Sequence, residues 1–132
     1  VVTAVLIPAR NEAPRLETVL DRTRQALPDA RLVVVDGHSA DGTAHVARRA
    51  GATVVAQRGH GYASAVREGH AWLLGQGVTR AVQLDGDGQH PPESAPELLA
   101  ALHGASWVVG SRSGTRSDGG LARRAGNQLL AQ

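Results

Sequence analysis

Short apolar runs alternate along the chain with segments in which apolar residues recur at helical spacing. Val1 to Ile7 is apolar and is closed by Pro8, which predicts a buried strand. Leu16, Val19, Leu20, Thr23, Ala26 and Leu27 follow with charges between them, which predicts a helix ended by Pro28 and Asp29. The alternation repeats. Strands are predicted at Leu32–Val35, Thr53–Ala56, Ala81–Leu84 and Trp107–Val109. Helices are predicted at Ala44–Ala50, after Gly59-His60-Gly61, and around Ala95, Leu98, Leu99 and Leu102. Leu121 to Gln132 carries Leu121, Ala122, Ala125, Leu129 and Leu130 on one stripe and reads as a last helix. Between it and the fifth strand, Ser113 to Gly120 is rich in Gly and Ser and reads as a mobile loop.

Strands of four to seven apolar residues between helices imply an α/β fold, a three-layer α/β/α sandwich around a mostly parallel sheet. Ligands of such sheets sit beyond the carboxyl ends of the strands, where strand order reverses. The strand ends hold Pro8 to Glu12, Asp36, Arg58 to Gly61, Asp85 to His90, and Gly110 to Arg112, which gather most of the unusual polar clusters.

Composition narrows the chemistry. The 132 residues suit one domain, and 42% apolar with 20% charged residues is ordinary for a folded one. No cysteine is present, so disulfides, thiolate metal sites and a cysteine nucleophile are excluded. All fourteen basic residues are arginines, which raises the pI to about 10.4 although the net charge is only +2. Scattered arginines and three aromatic residues, Tyr62, Trp72 and Trp107, argue against a nucleic-acid partner. No apolar run approaches a membrane span, and without lysine a P-loop is impossible.

The strongest chemical signal is Asp85-Gly86-Asp87-Gly88-Gln89. Were the segment extended, alternate side chains would let Asp85, Asp87 and Gln89 converge on a hard cation such as Mg²⁺ or Mn²⁺. The alternative is a polar turn after a strand. A helix-loop-helix calcium site is excluded because loop position 12 is Pro96. Pro8-Ala9-Arg10-Asn11-Glu12 serves equally as a helix start or as a binding loop, and Asp41 or Thr43 as a helix cap. Asp36, at a strand end, can accept hydrogen bonds from a base edge or a ribose. Arg112 can grip a diphosphate. His60 and His90 lie in candidate site loops, whereas His38, His45, His70 and His103 show no metal spacing.

Five segments in order, Ile7–Glu12, Val34–Thr43, Gly59–Ala65, Leu84–Glu93 and Val109–Arg112, resemble the inverting family 2 glycosyltransferases of the GT-A fold. The Asp-x-Asp-x-Gln-His-Pro-Pro-Glu form looks most like the polyprenyl-phosphate mannosyl- and glucosyltransferase branch. The resemblance implies a Rossmann-like nucleotide-binding topology and a nucleoside-diphosphate sugar donor, GDP- or UDP-linked. It implies transfer with inversion to a polyprenyl phosphate or similar acceptor. It implies Mg²⁺ or Mn²⁺ on Asp85, Asp87 and Gln89, with Asp87 and Arg112 as catalytic groups. Pro8, Ala9, Arg10, Glu12, Asp36, Gly61, Asp85 and Gly86 would contact the nucleotide sugar. The chain departs from the family at Gly37-His38, where many members carry aspartate and glycine, and at Tyr62, where relatives often have a smaller residue.

On this reading residues 1–132 form a single GT-A domain without its acceptor-side part, cytoplasmic or peripheral at the inner face of a membrane. A homo-oligomer is left open. A nucleotidyltransferase of similar topology is the first alternative, but Pro8–Glu12 is not its Gly-rich loop. A non-catalytic sugar-nucleotide-binding domain is the second, and intact Asp85 and Asp87 argue against it.

Overall fold

The computed structural model describes residues 1–102 together with the backbone of two further strands, Trp107–Ser111 and Ala122–Gly126. Four strands, β1 (Thr3–Ala9), β2 (Arg31–Asp36), β3 (Thr53–Ala56) and β4 (Arg80–Gln83), form one parallel sheet in the order β3-β2-β1-β4. Strands β1 and β2 are almost continuously apolar because both of their faces are covered. Val5, Ile7 and Ala9 face one helical layer, and Ala4 and Leu6 face the other.

Helices α1 (Ala13–Ala26), α2 (Thr43–Arg49) and α4 (Ala95–Ala101) cover the first face. Leu16, Val19, Leu20, Ala47, Ala95 and Leu99 meet Val5, Ile7, Val34 and Val82 there. Helix α3 (Tyr62–Gly75) covers the other face through Ala65 and Leu73, against Leu6, Val33 and Val35. Gly69 allows the close approach. A Cβ there would come within 2.7 Å of Leu6 Cδ1 and 2.9 Å of Val35 Cγ2. The three-layer α/β/α sandwich with a parallel sheet is therefore the observed architecture.

The chain runs outward from β1 through β2 to β3, then crosses back to place β4 on the far side of β1. Strand order thus reverses between β1 and β4, and the crevice expected at that point opens between their carboxyl ends.

Two expectations are corrected. The last helix, predicted over Leu121–Gln132, is not formed at Ala122–Gly126: that segment is strand β6, antiparallel to β5 (Trp107–Ser111), with Trp107 opposite Gly126 and Ser111 opposite Ala122. Ala and Arg favour a helix locally, but an adjacent strand with unpaired backbone groups offers a full ladder, and such tertiary pairing overrides a weak local preference. Strand β5 accordingly belongs to this two-stranded ribbon and not to the parallel sheet. The loop expected at Ser113–Gly120, together with Arg112 and His103, lies outside the described residues.

Candidate active site

A cleft of about 280 Å³ opens at the carboxyl ends of the strands. Every parallel strand sends its following loop there. Pro8, Ala9, Arg10 and Glu12 come after or at the end of β1, Gly37 and His38 after β2, Gln57 and His60 after β3, and Asp85, Gly86 and Asp87 after β4. Gly61, Tyr62 and Ala65 bring the start of α3 to the wall. A helix N-terminus favours negative charge, so this wall suits a phosphate-bearing ligand.

Eight of the residues expected to bind donor or metal line this one cleft: Pro8, Ala9, Arg10, Glu12, Gly61, Asp85, Gly86 and Asp87. Asp36 and Gln89 are not on its wall. Asp36 ends β2, and its Oδ1 accepts the Ser39 N–H at 3.3 Å. The catalytic role expected of Arg112 falls outside the described residues.

The Asp85–Gln89 segment is not built as the alternation suggested. Strand β4 stops at Gln83, Gly86 and Asp87 form a turn, and Gly88 sits at φ +80°. The Gln89 N–H folds back to donate to Asp87 Oδ1 at 2.9 Å. A turn breaks strict alternation, so Asp85 and Asp87 reach the cleft while the exposed Gln89 does not line it. Gly86 is buried, and a Cβ at its position would stand 3.1 Å from Ala9 Cβ, so the loop lies hard against the end of β1.

Asp85 is held from several sides. The Tyr62 hydroxyl donates to its Oδ1 at 3.1 Å. Its own N–H donates to His90 Nδ1 at 3.2 Å. Because Nδ1 is the acceptor there, its 3.6 Å approach to Asp85 Oδ2 is not a second hydrogen bond. Partial desolvation of the phenol, on a side chain that is otherwise exposed, raises the Tyr62 pKa above its ordinary range, and the negative charge of Asp85 and the hydrogen bond to it push the same way.

The other loops are fixed mainly by one another. Asn11, in the left-handed region at φ +53°, donates its N–H to Ser39 Oγ at 2.9 Å and accepts the Ala40 N–H on Oδ1 at 2.8 Å. The Glu12 N–H donates to Thr43 Oγ1 at 3.0 Å. Asp41 takes the N–H of Ala13 on Oδ2 at 3.2 Å and that of Thr43 on Oδ1 at 3.0 Å, so one carboxylate serves the first residues of both α1 and α2. The Thr43 hydroxyl donates to the same carboxylate. That hydroxyl contact, with the two backbone amides, holds the Asp41 carboxyl below the usual range. Glu68 plays a like part on the opposite side. It accepts the amides of Arg58 (2.6 Å) and Gly59 (3.0 Å) and the Ser64 hydroxyl (2.8 Å), which lower its pKa and tie the β3–α3 loop to the helix.

Gln57 and His38 line the cleft without having been assigned to it from the sequence, and His60, expected only in a candidate site loop, lines it as well. Gln57 is 6% exposed, and its Nε2 donates to the Gly61 carbonyl at 2.9 Å, holding the glycine that starts α3 at φ +87°. The only sequence hint was a glutamine immediately after an apolar strand. His38 and His60 stack with centroids 4.6 Å apart, and His38 Nε2 lies 2.8 Å from the Gly59 carbonyl. The two rings come together from different loops, and neither signals the other in sequence.

Asp85 and Asp87 give the cleft hard oxygen donors that suit Mg²⁺ or Mn²⁺. Among the described residues no three His, Asp or Glu side chains are gathered as a ready-made metal set. The donor set therefore fits a cation that takes the rest of its shell from water and ligand oxygens.

The family model described as "Glycosyl transferase family 2" matches residues 4–130. The chain is 38% identical over 113 residues to undecaprenyl-phosphate mannosyltransferase of Micrococcus luteus, covering 81% of this chain and 46% of that protein. It is 35% identical over 119 residues to polyprenol monophosphomannose synthase of Mycolicibacterium smegmatis, covering 83% and 44%. The chain thus spans less than half the length of these curated relatives. Among solved structures, glucosyl-3-phosphoglycerate synthase from Mycobacterium tuberculosis in complex with Mn²⁺, UDP and phosphoglyceric acid superposes with a TM-score of 0.65. The identity is 25%, over 86% of this chain and 44% of that one.

Proposed function

The chain belongs to glycosyl transferase family 2, and from that footing we propose that its cleft binds a nucleoside-diphosphate sugar and serves transfer of the sugar to a polyprenyl phosphate or similar acceptor. The observation that carries this reading is the meeting of Asp85 and Asp87 with the Pro8–Glu12 loop in one cleft at the reversal of strand order. The relatives named for undecaprenyl-phosphate and polyprenol substrates support the acceptor class. The Mn²⁺ and UDP in the superposed synthase support the donor and the cation.

The roles divide among the loops. Pro8, Ala9, Arg10 and Glu12, with Asp36, hold the base and ribose of a GDP- or UDP-linked donor. Asp85, Gly86 and Gly61 border the ribose and diphosphate. Asp87 and Asp85 would hold Mg²⁺ or Mn²⁺, which would supply positive charge opposite the departing diphosphate. Gln89, expected in that set, lies off the cleft wall and is not assigned to it. Arg112, following β5 in sequence, meets the phosphates of donor or acceptor. Transfer forms a bond from an acceptor oxygen to the anomeric carbon and breaks the bond from that carbon to the diphosphate, with inversion. A phosphate acceptor is already anionic and needs no proton removed, so no general base is assigned. No described helix is long and apolar enough to cross a membrane. A polyprenyl phosphate would nonetheless bring the protein to a membrane face, and we place it at the inner one.

A thermal-shift panel tests this reading. UDP or GDP should raise the melting temperature with Mn²⁺ and do so much less with a chelator. Stabilisation by nucleoside triphosphates with no response to either diphosphate would point instead to nucleotidyl transfer. No response to any nucleotide would remove the proposal.

A further inference from the structure

Tyr62 ends a chain of side chains whose direction can be worked out from one end. An ionised Asp85 only accepts, so the Tyr62 hydroxyl must donate to its Oδ1, 3.1 Å away. The phenol has one proton, so it must accept from Gln83, whose amide group lies 2.7 Å away, and Gln83 must turn its Nε2 toward the phenol. The amide oxygen of Gln83 then faces His70 at 3.3 Å, and His70 must carry its proton on Nε2 to donate. His70 and Tyr62 stand on α3, Gln83 is the last residue of β4, and Asp85 follows two residues later. Each donor polarises the next, and all point toward the carboxylate.

We propose that Tyr62 is a positioning residue: its hydroxyl, oriented by Gln83 and His70, fixes the carboxylate of Asp85 toward the donor ligand. The proposal rests on the reading of Asp85 as part of the donor site. Tyr62 is 57% exposed and fills no core position, so the hydroxyl is not required for packing. The hydroxyl on Oδ1 is the side-chain hydrogen bond that the described residues make to this carboxylate, and it favours one setting of it. A ligand that needs that setting loses less freedom on binding.

The test is a double-mutant cycle read by calorimetry of UDP and of GDP, each with Mn²⁺, on the 132-residue chain. Tyr62→Phe should weaken binding roughly fivefold. In an Asp85→Ala background the same change should have no effect. If Asp85→Ala weakens binding and Tyr62→Phe does not, Tyr62 positions nothing and the donor site stands. If the two effects multiply, Tyr62 acts on the ligand independently and the proposal is equally overturned. If Asp85→Ala is itself without effect, the donor-site reading fails and this inference with it.

A spectroscopic readout separates positioning from a structural role. The chain has a single tyrosine, so isotope labelling of the tyrosine ring gives one phenol Cζ resonance. It should move in Asp85→Ala without ligand, and an unmoved resonance would overturn the hydrogen bond on which the proposal stands.

Discussion

The loops on the two sides of the cleft are written in similar residues and used differently. On the β1–β2 side, Asn11, Ser39, Asp41 and Thr43 direct their polar atoms at one another and at the first amides of α1 and α2. On the β4 side, Asp85 and Asp87 follow the strand and face the cleft. An aspartate after a strand is therefore not a site residue by its type. What decides is whether backbone N–H groups that have lost their helical partners lie within its reach. Asp41 stands between two helix starts and becomes part of the scaffold. Asp87 caps a turn with one oxygen and still lines the cleft.

That difference can be broken from either side. The largest effect is expected at Asp87. At a nucleoside diphosphate concentration a hundredfold above its Kd, with Mn²⁺, binding should stabilise the chain by about 2.7 kcal/mol. Asp87→Ala should lose most of this at the same concentrations while melting normally without ligand, and a thermal scan with and without nucleotide reads both. Next comes Thr43, fully buried and accepting the Glu12 N–H. Thr43→Val keeps the shape and leaves that amide unpaired, so unfolding in urea should show a loss of about 1–3 kcal/mol. Nucleotide affinity should hardly change.

Asp36 lies between the two behaviours, because it accepts a loop amide at long range and also ends the central strand β2. Asp36→Ala should weaken nucleoside diphosphate binding by about 1 kcal/mol, roughly fivefold in Kd by calorimetry. Unchanged affinity would move Asp36 to the scaffold side. The smallest effect concerns acid. Asp41 and Glu68 have folded pKa values below their ordinary values of 3.8 and 4.5. Their contribution is therefore present above those values and is lost as pH falls through the lower folded ones. Melting temperature should decline below about pH 4.5, and Asp41→Asn should shallow that decline.

How far the sequence could be read follows the same division. The parallel sheet was legible because strands covered on both faces must be continuous apolar runs, as in Val33-Val34-Val35. The position of the cleft followed from the chain order of strands and helices alone. Strand β6 was not legible: Ala-Arg-Arg-Ala favours a helix, and nothing in those residues records that β5 lies beside them. Asn11 and Asp41 were visible as polar residues at strand ends. Their roles depend on how closely two loops approach, which is a distance the sequence does not contain. Gln57 was missed for a related reason, since its function is to hold the Gly61 carbonyl four residues on, in a backbone shape set by the fold.

The most direct measurement is a crossed one on Asp87→Ala and Asp41→Ala. Both would be titrated by calorimetry with UDP and GDP in Mn²⁺ and melted without ligand. Asp87→Ala should lose nucleotide binding at an unchanged melting temperature, and Asp41→Ala should keep binding at a lowered one. Full Mn²⁺-dependent nucleotide affinity in Asp87→Ala would contradict the assignment of the β4 loop as the donor site.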